Sequence, residues 1–100
     1  MIGNEFLQQI SKHLFWDVNV QDLDAEKHRR YIIVRVMDRG SREDVRLVWD
    51  HYGEETIRTE LLNAPACERK TIFYFANQFG VKPEAFRAFR KKKELGIWAL

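Results

Sequence analysis

The sequence predicts an all-α fold: a compact, single-domain bundle of five or six short helices with a helix-turn-helix-like C-terminal half. Three observations lead to this prediction. Apolar residues recur at spacings of three and four residues, which is the period of an amphipathic helix. Glycines, prolines and capping residues separate these segments at intervals that suit short helices. A chain of 100 residues, 45% of them hydrophobic, has the size and composition of one globular domain.

The first helix is predicted over about residues 5–14, with Asn4 as its N-cap. Its apolar stripe consists of Phe6, Leu7, Ile10 and Leu14. Residues 15–20 are then predicted to form an extended connector, because apolar Val18 and Val20 alternate with polar residues.

Two aromatic residues, Phe15 and Trp16, open this connector. We expect Trp16 to anchor the connector to the core, because large aromatic side chains are usually buried. The alternative is that these residues contact a partner protein, since aromatic side chains dominate the binding energy of protein interfaces. Phe15, Trp16 and Trp98 are therefore the candidate partner-binding residues.

The segment 25–39 is the most ambiguous part of the chain. Its run Tyr31–Met37 is rich in β-branched residues, which favour a strand. No breaker interrupts the chain between Asp24 and Arg39, however, and this length suits a helix better. We predict a helix over 25–39 that begins after an N-cap at Asp24 and ends at Gly40. Its predicted buried face consists of Ile32, Ile33, Val36 and Met37, and its arginines 29, 30 and 35 are expected to reach solvent.

Two further helices are predicted over 42–52 and 54–63. The first begins with a near capping box, in which Ser41 is followed three residues later by Asp44. Its apolar positions recur with clear helical spacing: Val45, Val48, Trp49 and Tyr52. Gly53 separates the two helices, and Ala64-Pro65 ends the second, which is expected to bury Ile57 and Leu61.

The stretch Thr71–Phe89 resembles a helix-turn-helix. A helix that starts near Glu68 carries Phe75, Ala76 and Phe79 on one face, and Gly80 would end it in a left-handed conformation. Pro83 would open a second helix, with Phe86 and Phe89 facing the core. An ordinary corner between two core helices has the same pattern and remains the alternative.

The distribution of charge favours nucleic acid as a partner of this stretch. The net charge is only +2, but residues 1–65 carry −3 and residues 66–100 carry +5. Such asymmetry is typical of proteins that bind polyanions. The candidate DNA-binding residues are Lys82, Glu84 and Arg87 near base edges, and Arg90, Lys91, Lys92 and Lys93 near phosphates. The alternative is a solvated basic helix end.

We divide the single domain, 1–100, into an acidic helical part (1–65), a basic helix-turn-helix-like part (66–93) and an apolar tail (94–100). The tail contains Trp98 and either folds back on the core or contacts another chain. The second arrangement would supply the homodimer that a helix-turn-helix usually needs for tight binding.

The sequence offers little for catalysis or metal binding. The three histidines are scattered without metal-binding spacing, and no phosphate-binding glycine loop is present. Cys67 lies beside Arg69 and Lys70, which would lower the pKa of its thiol, but no base accompanies it. We therefore expect a protein that is not an enzyme and has no cofactor. A lone cysteine and the absence of a signal peptide or membrane-spanning run predict a cytoplasmic protein with no membrane partner.

Four segments together carry a resemblance to a known family: LFWDVN (14–19), LDAEKHRRYIIVRVMDRG (23–40), EDVRLVWDHYG (43–53) and FGV (79–81). Over most of residues 14–86 the chain resembles a small prokaryotic, antitoxin-like family of unknown function. Its members are encoded beside nucleotidyltransferase-type toxins of abortive-infection character. The resemblance implies neutralisation of a cognate toxin protein by binding, with autoregulation at the operon and without catalytic residues. The sequence departs from the family pattern at Tyr74, Phe75, Asn77 and Gln78, and in its lysine-rich tail.

Two functions follow as expectations. The first is a non-enzymatic, antitoxin-like regulator that binds duplex DNA through the helix-turn-helix-like element. The second is a protein-binding adaptor that sequesters a partner toxin without contacting DNA. A third class, a small hydrolase or metalloenzyme, would need a convergent polar pocket that the sequence does not indicate.

Overall fold

The computed structural model describes residues 2–94, with side chains from Glu5 onward, and this part of the chain contains helices and no strand. The predicted all-α class is therefore confirmed. Five α-helices form the bundle: α1 (Arg29–Arg39), α2 (Arg42–Tyr52), α3 (Glu54–Asn63), α4 (Arg69–Phe79) and α5 (Arg87–Glu94). Shorter 3-10 helices precede α1 at Ile2–Gln8, Lys12–Phe15 and Val20–Asp22, and another precedes α5 at Pro83–Ala85.

Helix α1 lies at the centre of the molecule. It packs against α2, α3, α4 and the 3-10 helix Lys12–Phe15, and its Ile32, Ile33 and Val36 are fully buried. The choice of helix over strand for this segment is confirmed. The helix begins four residues later than predicted, because residues 25–28 form a turn. Asp24 caps that turn, since its carboxylate accepts hydrogen bonds from the backbone N–H groups of Glu26 and Lys27.

Helices α2 and α3 have the predicted bounds. Ser41 and Asp44 form a capping box, in which each side chain accepts a hydrogen bond from the backbone N–H of the other residue. On the opposite side of α2, Trp49 stacks on Phe75 of α4 with ring centroids 6.3 Å apart. In α3, Ile57 and Leu61 are fully buried, as predicted.

Asp44 also ties the N-terminal segment to α2. Its carboxylate accepts a second hydrogen bond from the backbone N–H of Ser11, at 2.9 Å, although the residue is only 2% exposed. Burial raises the pKa of Asp44, but the backbone hydrogen bonds from Ser11 and Ser41 outweigh burial and hold it below its ordinary value. The carboxylate is therefore a charged link between two elements that are distant in sequence.

Two predictions near the N-terminus were wrong, each because of a side-chain hydrogen bond. The expected helix over 5–14 is two 3-10 helices, because Ser11 gives its N–H to Asp44 rather than to a helix. The expected extended connector over 15–20 is a turn followed by another 3-10 helix, capped by the side chain of Asn19. The apolar stripe of Phe6, Leu7, Ile10 and Leu14 is nonetheless buried, as predicted.

Gly40 joins α1 to α2 at a point of close contact. A Cβ atom there would lie 2.6 Å from the carbonyl oxygen of Val36 and 3.0 Å from Cβ of Asp44. The backbone of Gly40 is extended, with φ at −75°, so this position needs glycine for space and not for backbone freedom. The close approach brings the end of α1 against the capping box of α2.

Two ion pairs to a buried carboxylate join α1 to α3. Glu60, which is buried, accepts hydrogen bonds from Nε of Arg29 at 2.7 Å and from Nε of Arg30 at 2.8 Å. Burial raises the pKa of Glu60, and the two guanidinium groups lower it further than burial raises it. Arg29 and Arg30 therefore share one carboxylate while their side chains still reach solvent, as expected, with 44% and 45% of their area exposed.

Candidate nucleic-acid and partner interfaces

The corner after α4 forms as the sequence predicts. Gly80 adopts a left-handed conformation, with φ at 68° and ψ at 33°. Its N–H donates to the carbonyl of Asn77, and the N–H of Val81 donates to the carbonyl of Ala76. These two hydrogen bonds are those of a Schellman motif, which ends α4 and turns the chain.

The second helix of the expected helix-turn-helix does not begin at Pro83. Pro83 opens a 3-10 helix of three residues, and Phe86 then has an extended backbone, with φ at −85° and ψ at 126°. The side chain of Phe86 is fully buried, so the chain bends to place it in the core before α5 begins at Arg87. The predicted inward positions of Phe86 and Phe89 are confirmed, but Lys82 and Glu84 lie on the connection rather than on the second helix.

Helix α5 presents cations to solvent on the face opposite its buried residues, Ala88 and Phe89. Arg87, Arg90 and Lys91 are exposed, and their spacing of three and four residues places them on one stripe. Arg87 donates a hydrogen bond to the carbonyl of Asn63, and Arg90 donates to the carbonyls of Glu84 and Ala85. These hydrogen bonds orient the guanidinium groups without removing their charge.

The remaining candidate DNA-binding residues have different surroundings. Lys93 lies 3.6 Å from the carboxylate of Glu84, and both side chains are exposed, so this ion pair is weak. Lys92 is half-buried on the opposite side of α5 and lines a groove. Lys82 is exposed on the connection. Among residues 2–94, no carboxylate lies within 4.0 Å of the charged groups of Lys82, Arg87, Arg90 or Lys91.

The arginines of α1 differ in this respect. Arg29 and Arg30 pair with Glu60, Arg35 pairs with Asp17 at 3.1 Å, and Arg39 pairs with Glu68 at 3.1 Å. All four arginines of the central helix thus have a carboxylate partner, whereas the two arginines of α5 have none in the described chain. Ten Lys and Arg side chains of residues 5–94 have no carboxylate within 4.0 Å in the described chain, and five of these ten lie between Lys82 and Lys92. The other five are spread over the rest of the chain: Lys12, Lys27, Arg42, Arg58 and Arg69.

An open groove of about 940 Å³ lies along α1. One wall consists of α1 side chains, which include Tyr31, Val34, Arg35 and Asp38, and the other consists of the loop 64–67. Lys92 of α5 closes one part of the groove, and Trp16 lies at its edge. Because the loop sequence Ala64-Pro65-Ala66-Cys67 supplies only small side chains, the space beside α1 stays unfilled. The sequence reasoning missed this groove; the run of small residues was its one local signal.

Trp16 projects from the surface and does not anchor the connector, so that prediction was wrong. Its side chain is 78% exposed, whereas its neighbour Phe15 is 2% exposed and belongs to the core. The 3-10 helix Lys12–Phe15 turns Leu14 and Phe15 inward, and Trp16, which follows it in a turn, points outward. Phe15 therefore offers no exposed area to a partner, and Trp16 does. Trp98, the third candidate, lies outside the described residues.

A polar cluster fixes the turn that carries Trp16. The carboxylate of Asp17 accepts hydrogen bonds from both terminal nitrogens of Arg35 and from the hydroxyl of Tyr31. Arg35 also donates to the carbonyl of Leu14, at 2.8 Å, and lies 4.9 Å from the centre of the Tyr31 ring. The hydrogen bond from Arg35 is the main cause that lowers the pKa of Asp17. Trp16 is thus held at the groove by a charged contact to α1.

Cys67 is not activated as its neighbours in sequence suggested. The residue is buried, and burial raises the pKa of its thiol to about 12, with the nearby carboxylate of Asp38 adding to the effect. Arg69 lies over the ring of Phe73, and Lys70 pairs with Glu68. Neither cation therefore lowers the pKa of the Cys67 thiol. The prediction of a lowered thiol pKa was wrong, because burial of Cys67 raises that pKa.

Metal-binding clusters and membrane-spanning helices are both absent from the part of the chain that the structure describes. Within residues 2–94, no group of three or more His, Cys, Asp or Glu side chains is placed to hold a metal ion. None of the helices in this range has the length and apolar character needed to cross a bilayer.

A family model, that of a family of unknown function designated DUF6922, matches residues 10–61. The chain belongs to this family. No curated protein and no solved structure matches the chain. The DUF6922 match contains α1, α2 and most of α3, together with Trp16 and the α1 wall of the groove. It ends before α4 and α5, so the basic helix lies outside the part of the chain that the family model covers.

Proposed function

We propose that this DUF6922 protein is a non-enzymatic, antitoxin-like regulator that binds duplex DNA through the cations of α5 and of the connection before it. One observation carries the proposal. Lys82, Arg87, Arg90 and Lys91 are exposed, have no carboxylate partner among residues 2–94 and lie within one stretch of ten residues, whereas the other exposed unpaired cations, such as Arg42 and Arg58, are dispersed along the chain. Exposed cations that the fold leaves uncompensated are available to phosphates.

The break at Phe86 determines the mode of binding that we propose. Because Phe86 interrupts the helix and α5 begins at Arg87, Lys82 and Glu84 are not at the start of a recognition helix. We therefore assign Lys82, Arg87, Arg90 and Lys91 to phosphate contacts, which hold DNA without reading its sequence. Specific recognition would then need a second copy or a partner protein.

The antitoxin-like part of the proposal is supported by the sequence resemblance and concerns a cognate toxin protein. A DNA-binding surface on α5 and a partner-binding surface elsewhere would suit a protein that neutralises a toxin and also binds its own operon. The groove beside Trp16 favours such a second surface, because a largely exposed tryptophan is the kind of side chain that anchors protein interfaces. A protein-binding adaptor that never contacts DNA is the second candidate function.

Fluorescence anisotropy with a labelled duplex of about 20 base pairs tests the DNA-binding proposal. Replacing Arg87 and Lys91 together by alanine should weaken binding by at least tenfold at low salt. The matched control replaces Arg42 and Arg58, which are exposed on α2 and α3, and removes the same charge. Equal loss of affinity in both double variants would show that only net charge matters and would contradict a site on α5.

Co-purification with the product of the adjacent gene tests the second surface. Trp16→Ala should release the partner while Tyr74→Ala, which removes an exposed aromatic side chain from α4, should not. If Trp16→Ala leaves the complex intact, the partner does not use the groove. DNA binding by a protein that captures no partner would favour the regulator over the adaptor.

A further inference from the structure

Helix α4 presents to solvent a face that combines aromatic rings, cations and amides and contains no carboxylate. Pairs of exposed side chains recur along it every four residues, which places them on one side of the helix: Arg69 and Lys70, Phe73 and Tyr74, Asn77 and Gln78. No Asp or Glu occurs between Arg69 and Phe79. We propose that this face stacks unpaired bases, so that the protein binds single-stranded nucleic acid across α4 and α5. The inference rests on the phosphate contacts proposed for α5 and adds the bases that the same surface takes.

Tyr74 and Phe73 are the rings that can take part in stacking, since their side chains are 59% and 39% exposed. The ring of Tyr74 meets the ring of buried Phe75 at 88°, with the two centroids 4.9 Å apart. A perpendicular contact covers at most one face of a ring, and the exposure of Tyr74 shows that ring surface remains open to solvent. The core therefore holds the ring in place and leaves it accessible. Every base has a π-face, so stacking of bases on such rings is largely independent of sequence.

Cations and amides beside the two rings suit the rest of a nucleotide. The guanidinium of Arg69 lies 5.3 Å from the centre of the Phe73 ring, and it has no carboxylate within 4.0 Å in the described chain. A cation in this position can contact the phosphate of a nucleotide whose base lies on a neighbouring ring. Asn77 and Gln78 are exposed, and their amides can both donate to base edges and accept from them. Protein interfaces also use exposed aromatic rings, but a face with cations and without a carboxylate favours a polyanion.

The same face adjoins α5. The ring of Phe73 meets the ring of Phe89 on α5 at 89°, with the two centroids 5.9 Å apart. Arg90 follows Phe89 directly, and Lys93 lies four residues after Phe89, on the same side of α5. Both of these cations are exposed. A strand whose phosphates contact α5 can therefore place its bases on Phe73 and Tyr74, whereas the bases of a duplex are paired and stacked inside it.

Fluorescence anisotropy of two labelled strands, each of about 12 nucleotides, tests the proposal with the unaltered full chain. One strand is oligothymidylate, and the other is the same sugar–phosphate chain without bases. Both carry the same phosphates, so the difference in their affinities reports the contribution of the bases alone. We expect oligothymidylate to bind at least tenfold more tightly. Oligouridylate of the same length, measured in parallel, distinguishes RNA from DNA as the source of the strand.

Equal affinity for the strands with and without bases would overturn the stacking proposal. If the duplex still binds in that case, the phosphate contacts of α5 stand without it. If neither strand nor the duplex binds at low salt, the DNA-binding function fails as well.

Two double variants locate the stacking site. Phe73→Leu with Tyr74→Leu removes both rings and keeps apolar side chains that suit a helix. It should weaken oligothymidylate binding by about tenfold, abolish the preference for a strand with bases and change duplex affinity less than twofold. The matched control, Phe73→Tyr with Tyr74→Phe, exchanges the two rings and should keep the preference. Circular dichroism checks that both variants fold.

If the leucine variant still prefers the strand with bases, the bases stack elsewhere and the proposal fails. The proposal also fails if the leucine variant keeps its affinity for oligothymidylate but no longer captures the product of the adjacent gene. That result would assign the exposed face of α4 to a protein partner.

Discussion

Asp44 shows how much one buried carboxylate contributes to this fold. It caps α2 through Ser41 and holds the N-terminal segment through Ser11, and it is almost fully buried while doing so. A charged oxygen in that position is stable because backbone N–H groups replace the water that it loses. Local sequence reasoning found the capping box, but it could not find Ser11, which is 33 residues away.

Replacing Asp44 by alanine should lower the free energy of unfolding by about 3 kcal/mol, because the backbone N–H groups of Ser11 and Ser41 both lose their acceptor. The matched control is Asp50→Ala, which removes an exposed carboxylate from the same helix and should cost less than about 0.5 kcal/mol. Urea unfolding monitored by circular dichroism measures both. Similar midpoints for the two variants would contradict the role given to Asp44.

The carboxylates of Asp44 and Glu60 also predict how stability depends on pH. Both pKa values are lower in the folded protein than the ordinary values of 3.8 and 4.5. A lowered folded-state pKa adds stability that is fully present above the unfolded value and is lost as pH falls through the folded value. Stability should therefore stay level from neutral pH down to about pH 5 and then decline. Unfolding midpoints measured across this range check it; a midpoint that rises below about pH 4 would contradict the two assignments.

Two glycines that end helices, Gly40 and Gly80, meet different physical requirements. Gly40 and Gly80 both follow a helix, and the sequence presents them alike. The structure separates them, because Gly40 lacks space for a side chain, while Gly80 has a left-handed backbone and open space where a Cβ atom would lie. Sequence reasoning identified both as helix ends, but it could not tell which physical requirement each one meets.

Two substitutions separate these requirements. Gly40→Ala should destabilise the protein by about 2 kcal/mol, since α1 and α2 must move apart to admit a methyl group. Gly80→Asn adds a larger side chain but should cost less than about 1 kcal/mol, because asparagine tolerates the left-handed conformation and the position is open. Thermal unfolding of both variants provides the comparison. A larger loss for Gly80→Asn than for Gly40→Ala would reverse the account of these junctions.

The elements that the sequence predicted well are those whose ends are decided locally. Helices α2 and α3 have their predicted bounds because a capping box, a glycine and an Ala-Pro pair lie at their ends. The predictions over 5–20 and at Pro83 were wrong because distant contacts decide those segments. Ser11 is bonded to Asp44, and Phe86 is drawn into the core, so the chain breaks where local propensity alone would continue a helix.

At the scale of the whole molecule, the fold distributes its charges unevenly. Glu60 and Asp17, two carboxylates of residues 1–65, pair with arginines within that same part and are not available to α5. The sequence revealed the asymmetry of net charge but not this pairing, which depends on contacts between α1, α3 and the turn at Asp17. The basic residues of the candidate DNA-binding site could thus be predicted from the sequence. The groove and the exposure of Trp16 could not, because they depend on tertiary packing.

The salt dependence of duplex binding tests the central claim most directly. If Lys82, Arg87, Arg90 and Lys91 each neutralise one phosphate, the logarithm of the binding constant should fall with the logarithm of salt concentration with a slope of about −3 to −4. Arg87→Ala should make that slope shallower by about 0.9, whereas Arg42→Ala should leave it unchanged. Duplex binding that is absent at low salt, or that keeps its slope when Arg87 is removed, would contradict an α5 that binds DNA.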